Sequence, residues 1–223
     1  MEKDEGCGAV SPVIRPEGNG EALVAWGGLH EWDIRTTVWF RTEEESIKAH
    51  NDRPGEIIVA GTAIFLRTAA LKETGGLDDR LFAYCDDGDM GARLAKAGWR
   101  SKVVFDAAIE HAWRTPENLP SYAIYLLYRN EMIFWYTHAG EKHRRLLWLK
   151  LVDESIFTAI QLKRRNLNSQ SDAALLGIWD FIFKKHGRPE LDRRPSILIR
   201  LASRVSEFMN ESRLRDIGKD MPN

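Results

Sequence analysis

Three aspartates, Asp86, Asp87 and Asp89, fall within four positions directly after the aromatic loop Leu81-Phe82-Ala83-Tyr84, where a helical segment begins. A carboxylate placed so can do two kinds of work. It can cap the helix, because the free N–H groups of a first turn and the positive end of the dipole both favour negative charge. It can also act as a general base, held by its neighbours and facing a hydroxyl group. One carboxylate suffices for a cap, whereas three repel one another unless a cation or an arginine compensates. Arg93 stands at the i,i+4 spacing that pairs it with Asp89. The cluster by itself favours the cap, and the base stays open beside it.

His111 closes the strand pattern Lys102–Ile109 and is followed by Trp113. A neutral imidazole suits a divalent metal beside a diphosphate, although a histidine at a strand end more often packs or faces water. Trp26, His30 and Trp32 can stack on sugar rings, and a Trp-rich hairpin serves equally well as core. HExxH, GxSxG, P-loop and GxGxxG patterns are absent, which removes the common zinc-protease, serine-hydrolase, kinase-like and Rossmann readings. With 32 Lys and Arg against 33 Asp and Glu, nothing electrostatic points to nucleic acid. The basic runs Lys142–Arg145 and Lys163–Arg165 read as solvated helix faces. Cys7 and Cys85 lack CxxC spacing, so neither a disulfide framework nor a cysteine zinc site is expected, and the compartment is expected to be reducing.

The elements that must position these residues divide into two kinds. Gly8–Ile14 reads as an apolar strand closed by Pro16, and Val24–Phe40 as strands and loops around Gly27-Gly28. Ile57–Leu66 is an almost unbroken apolar run, the pattern of a strand covered on both faces, with Gly61 marking close approach by a backbone or a ligand. Thr68–Thr74 and Met90–Ala97 read as helices ending at glycines. Beyond Thr115-Pro116 the strand signals fade into amphipathic patterns over Tyr122–Tyr136, Arg144–Leu162, Ala173–Lys185 and Ile197–Met209. The expected fold is therefore α/β, an incomplete sheet over residues 1–115 followed by a helical region over 116–223.

No charged-then-apolar leader opens the chain, and Lys150, Asp153 and Glu154 interrupt the longest apolar stretch, so membrane contact is expected to be peripheral. Ile197, Leu198, Leu201, Val205 and Phe208 share one helix face bordered by Arg200 and Arg204. Packing within the helical region explains that stripe at least as well as a membrane does.

The order of residues from Gly61 to Trp113 resembles the second half of the catalytic domain of family 2 glycosyltransferases, especially rhamnosyltransferase-like members. The matching pieces are Gly61–Arg67, Gly76-Leu77-Asp78-Asp79, Phe82, Asp86-Asp87-Gly88-Asp89-Met90, Arg93 and His111. Tyr128-Arg129-Asn130, then Gly177-Ile178-Trp179-Asp180 with Gly187, resemble the family's later segments, and Gly8–Pro12 resembles the strand after its nucleotide-binding half. The resemblance implies a partial GT-A fold in which Asp87 deprotonates an acceptor hydroxyl that displaces a nucleoside diphosphate with inversion. It implies Asp86, Asp89 and Arg93 as the acceptor-side support, joined by Gly61, Thr62 and Trp26 as substrate-binding candidates, and His111 near a divalent cation, Mg or Mn. The implied partners are a nucleotide-sugar donor and a glycan or lipid-linked acceptor, in cell-surface polysaccharide or glycan synthesis at a cytoplasmic location that includes the inner face of a membrane. Asp86 stands where the family more usually has Glu, and no D-x-D pair precedes Gly8. The chain is thus expected to be a C-terminal part, active only with a nucleotide-binding half lost by truncation, a misplaced start or separate coding, or else a catalytically incompetent remnant acting as a binding module.

Overall fold

The computed structural model describes residues 1–18, 25–112, 118–138 and 144–211. Val24, Trp113, the 115/116 boundary and the first residues of the basic run from Lys142 lie outside the described residues. The chain divides into two compact units: 1–78 with 85–114, and 79–84 with 115–223. The first is a mixed α/β unit consistent with a partial GT-A sheet, and the second is helical.

In the first unit the apolar β1 (Cys7–Pro16) occupies the centre of a three-stranded sheet in the order β4-β1-β5. It runs parallel to β5 (Arg100–His111) and antiparallel to β4 (Phe65–Leu66). A two-stranded hairpin, β2 (Gly28–Glu31) and β3 (Thr36–Trp39), stands apart. Ala9 and Val13 from β1, Val59, Ala70, Met90 and Leu94 pack with Val103 as one core cluster, and Leu29, Phe40 and Ile57 form another. The run Ile57–Leu66 is not the single strand its composition predicts. Ile57, Ile58 and Val59 are buried, but Ile58 makes only one bridge, to Gly28, before the backbone turns into a 3-10 helix at Gly61–Ala63. Apolar character reports burial, and the backbone here spends its hydrogen bonds on a turn that meets α3.

Among the described residues, three α-helices complete this unit: α1 (Glu43–Asp52), α2 (Thr68–Thr74) and α3 (Asp86–Lys96). The apolar pattern gives no hint of α1, which is polar and starts by capping. The Thr42 hydroxyl accepts from Glu45 N at 3.2 Å, and the Glu45 carboxylate accepts from Arg41 N at 2.8 Å. His50, near its end, bridges to the sheet: Nδ1 donates to the Ser46 carbonyl at 2.8 Å and Nε2 accepts from Val103 N at 3.3 Å. That tautomer must be neutral, and burial, with Lys102 nearby, holds the imidazole below its usual range. The folded state therefore resists a proton that the unfolded state takes up, so this contribution to stability is full above about pH 6.5 and is lost as pH falls below it. Thermal unfolding followed from pH 7.5 to 5 is expected to show a decline that His50→Gln flattens.

The second unit is built on α4 (Ser121–His138), α5 (Arg144–Arg164), α6 (Asn168–Ile182) and α7 (Ile197–Met209). α4 and α6 approach closely because Gly177 leaves room: a Cβ there would lie 2.5 Å from the Tyr125 carbonyl oxygen. Among the described residues, no helix is long and apolar enough to cross a membrane.

Candidate functional site

The N-terminal turn of α3 lies against the 3-10 turn that interrupts the Ile57–Leu66 run. The Asp87 carboxylate spans the two: Oδ2 accepts from Gly61 N at 3.0 Å, and Oδ1 accepts from Gly88 N at 2.8 Å. It therefore serves a first-turn N–H of its own helix, as the cap reading expects, and also reaches across to the 3-10 turn. The N-cap position is Cys85, in left-handed backbone (φ 62°) and without a side-chain cap bond. Two N–H donors on separate segments fix the direction of this carboxylate, which is what a positioned base needs. Asp87 is half-buried, while Gly61 and Thr62 beside it are exposed, so the carboxylate lies at the surface of the unit.

The neighbours take distinct parts. Asp89 is buried and receives Arg93 Nε at 2.8 Å, the i,i+4 pair that the spacing predicts. Arg93 also donates from Nη1 to the Thr74 carbonyl at 2.7 Å, tying α3 to the end of α2. Asp86 is half-buried on the first turn of α3. Beneath the turn, buried His30 donates from Nε2 to the Gly88 carbonyl at 3.2 Å and accepts the Thr37 hydroxyl at Nδ1, 3.0 Å away. His30 is thus a support of the α3 turn, a role sequence reasoning missed when it grouped this residue with sugar-stacking aromatics. Trp32 lies 5.3 Å from its ring and is partly exposed. Trp26 is half-buried, packs against both core clusters and meets Phe105 at 6.0 Å.

The fit of Gly61 to Asp87 is close. A Cβ at position 61 would fall 2.9 Å from Asp87 Cβ, so Gly61→Ala must displace the carboxylate or open the turn. We expect a loss of about 1–3 kcal/mol in the thermal unfolding of this unit, with Gly76→Ala, which meets nothing within 4 Å, as the comparison.

His111 is exposed at the end of β5, paired in register with Pro16. Among the described residues, no three of His, Cys, Asp and Glu converge into a group that could hold a metal ion. His111 supplies a single candidate ligand, and the residues described do not make a complete cation site around it.

The second unit contains a polar cluster built from the Tyr128-Arg129-Asn130 segment and Gly187. Arg129 and Asn130 are fully buried in α4. Asn130 Nδ2 donates to the carbonyls of Leu81, Ala83 and Tyr84 at 2.8, 2.7 and 3.0 Å. Arg129 Nη2 reaches the carbonyls of Arg80 and Leu81, and its Nη1 donates to Gly187 at 2.7 Å. Gly187 N in turn donates to the Arg80 carbonyl at 2.9 Å. The loop so gripped is strained, with Phe82 and Tyr84 both at φ 66°, and it leads through Cys85 into α3. Tyr125 donates to Asp180 at 2.5 Å, Arg193 pairs with the same carboxylate, and the Tyr125 hydroxyl is pushed up to about 12, chiefly by burial and then by Asp180. An Arg-Asn pair inside an otherwise apolar helix is the sequence signal for such a clamp.

Residues 24–130 match the family described as glycosyltransferase like family 2. The chain is also similar to proteins named N-acetylglucosaminyl-diphospho-decaprenol L-rhamnosyltransferase from Mycobacterium tuberculosis strains CDC 1551 / Oshkosh and ATCC 25618 / H37Rv. Each is 30% identical over 117 residues, covering 47% of this chain and 37% of the relative. The matched segment thus spans little more than a third of the length of these relatives.

Proposed function

We propose, from the match of residues 24–130 to glycosyltransferase family 2 and the similarity to the two rhamnosyltransferases, that the chain is a rhamnosyltransferase-like member of that family and that Asp87 is the general base of an inverting sugar transfer. The observation that carries this reading is the Asp87 carboxylate held between Gly61 N and Gly88 N. In the proposed step, Asp87 takes the proton of an acceptor hydroxyl as its oxygen bonds to the anomeric carbon of a nucleotide-sugar. The bond from that carbon to the diphosphate oxygen breaks, and the nucleoside diphosphate leaves with the electron pair. A single protein base meets the need of such a displacement, whereas hydrolysis of a glycoside requires a second carboxyl group as proton donor. Asp89 and Arg93 keep α3 in place beneath the base, and Asp86, Gly61 and Thr62 line the acceptor side. Trp26 contributes through packing around the hairpin. A divalent cation would offset charge on the departing diphosphate, but the described residues give it no complete site.

We assign residues 1–115 to the catalytic part and 116–223 to a helical region, in a protein of the cytoplasm that acts in glycan synthesis. The acceptor class follows the relatives, whose name specifies a sugar on diphospho-decaprenol, so a sugar linked to a lipid diphosphate is the first acceptor to test. Transfer is to be assayed with a panel of nucleotide-sugars, activated L-rhamnose among them, on the chain alone and joined to a donor-binding half. Anomeric inversion in the product supports the reading, and retention of configuration overturns it.

A further inference from the structure

α7 carries the largest run of exposed apolar side chains on any one helix described. Ile197, Leu198, Leu201, Val205, Phe208 and Met209 are all exposed, from 48% at Leu201 to 84% at Phe208. At about 100° per residue they fill one arc of roughly 120°. The opposite side is seated: Ile199 and Ser203 are buried, and α7 packs on α5 and α6. Its orientation is fixed by charge, because Glu207 receives Arg164 at 3.2 Å and Glu211 receives the same guanidinium at 2.5 Å. Packing within the helical unit therefore does not account for the apolar stripe.

We propose that this arc of α7 is a membrane-docking surface that lies in the interface of an anionic bilayer. Three observations, together with the proposed function, favour a lipid surface as the occupant. The arc is continuous over the whole helix, which suits a planar apolar layer. Arg200 and Arg204 stand exposed along one edge, where their stems lie on acyl chains and their heads reach lipid phosphates. Thirteen residues make a helix of about 20 Å, too short to span and suited to lying flat. An acceptor linked to a lipid diphosphate is itself anchored in a bilayer. The choice of a bilayer rests in that last respect on the proposed function, whereas the geometry of α7 does not.

The test uses the 223-residue chain and vesicles, with no sugar transfer, so its failure and that of the proposed reaction are separable. The chain is expected to co-sediment with vesicles of phosphatidylcholine and phosphatidylglycerol, and far more weakly with phosphatidylcholine alone. Joint replacement Leu201→Asp and Phe208→Asp is expected to abolish binding while the circular dichroism of the chain is kept, since both side chains are exposed. Arg200→Ala with Arg204→Ala is expected to weaken binding by roughly thirtyfold at low salt. Should the aspartate variant misfold, Phe208→Trp gives a second reading: brominated lipid quenches its added fluorescence relative to the parent chain. Absence of binding to anionic vesicles, binding unchanged in the aspartate variant, or an unquenched indole overturns the proposal. So does a concentration-dependent dimer, measured by light scattering, that the aspartate variant abolishes, because the face would then belong to a second copy.

Discussion

Asp87→Asn is expected to lower kcat for sugar transfer by on the order of 10²–10⁴-fold, with KM for the donor little changed. Asparagine keeps the size of the side chain and one acceptor oxygen for Gly61 N or Gly88 N, but it cannot take up the hydroxyl proton. One of the two N–H bonds is lost, so the cost in stability is about 1 kcal/mol, far below the kinetic effect. Asp89→Asn should behave the other way. It weakens the bond to Arg93 in a buried position, so the first unit unfolds earlier while any remaining folded enzyme keeps most of its turnover. Paired kinetics and thermal unfolding on the two variants, in a preparation competent for transfer, separate base from support. Full transfer by Asp87→Asn would remove Asp87 from the chemistry.

The second large effect is on stability. Asn130→Ala is expected to destabilise the helical unit by about 2–4 kcal/mol, because it leaves the carbonyls of Ala83 and Tyr84 without the donor that now serves them. Leu81 is partly spared, since Arg129 Nη2 also reaches its oxygen at 3.0 Å. Asn130→Asp should be worse than alanine at neutral pH, as it turns acceptor oxygens toward three carbonyls. Phe82→Gly should act in the opposite direction. Phe82 is exposed at φ 66°, and glycine adopts that backbone without strain, so a gain of about 1 kcal/mol is expected. Denaturant unfolding of the three variants, read by circular dichroism, tests the clamp; equal stability for Asn130→Ala and the parent chain would refute it.

Most helices were legible in the sequence because their faces repeat. Thr68–Thr74 and Ile197–Met209 fall at the residues expected, and α3 carries the Asp89–Arg93 pair that its spacing predicts. What could not be read was the partner of each polar group. The chain order does not reveal that Gly61 meets Asp87, 26 positions away, nor that His30 meets Gly88, 58 positions away. Apolar run length also misled at Ile57–Leu66, where buried side chains accompany a turn rather than a continuous strand. The amphipathic face of α7 was visible in sequence, but only the burial of Ile199 and Ser203 opposite it tells which side is left to the outside.

The loop 79–84 belongs with residues that a ribosome makes much later. Its carbonyls are received by Arg129 and Asn130, some 50 positions on, and its Arg80 oxygen also takes the Gly187 N–H, so the socket is incomplete until Gly187 has been synthesised. Nascent chains released before that point will carry Phe82 and Tyr84 without the bonds that offset their strain. Cutting the gene near residue 115 will have the same effect, because it severs the helical unit from a loop that packs within it. Fragments for expression are best chosen to start at or before residue 79 and to run past Gly187.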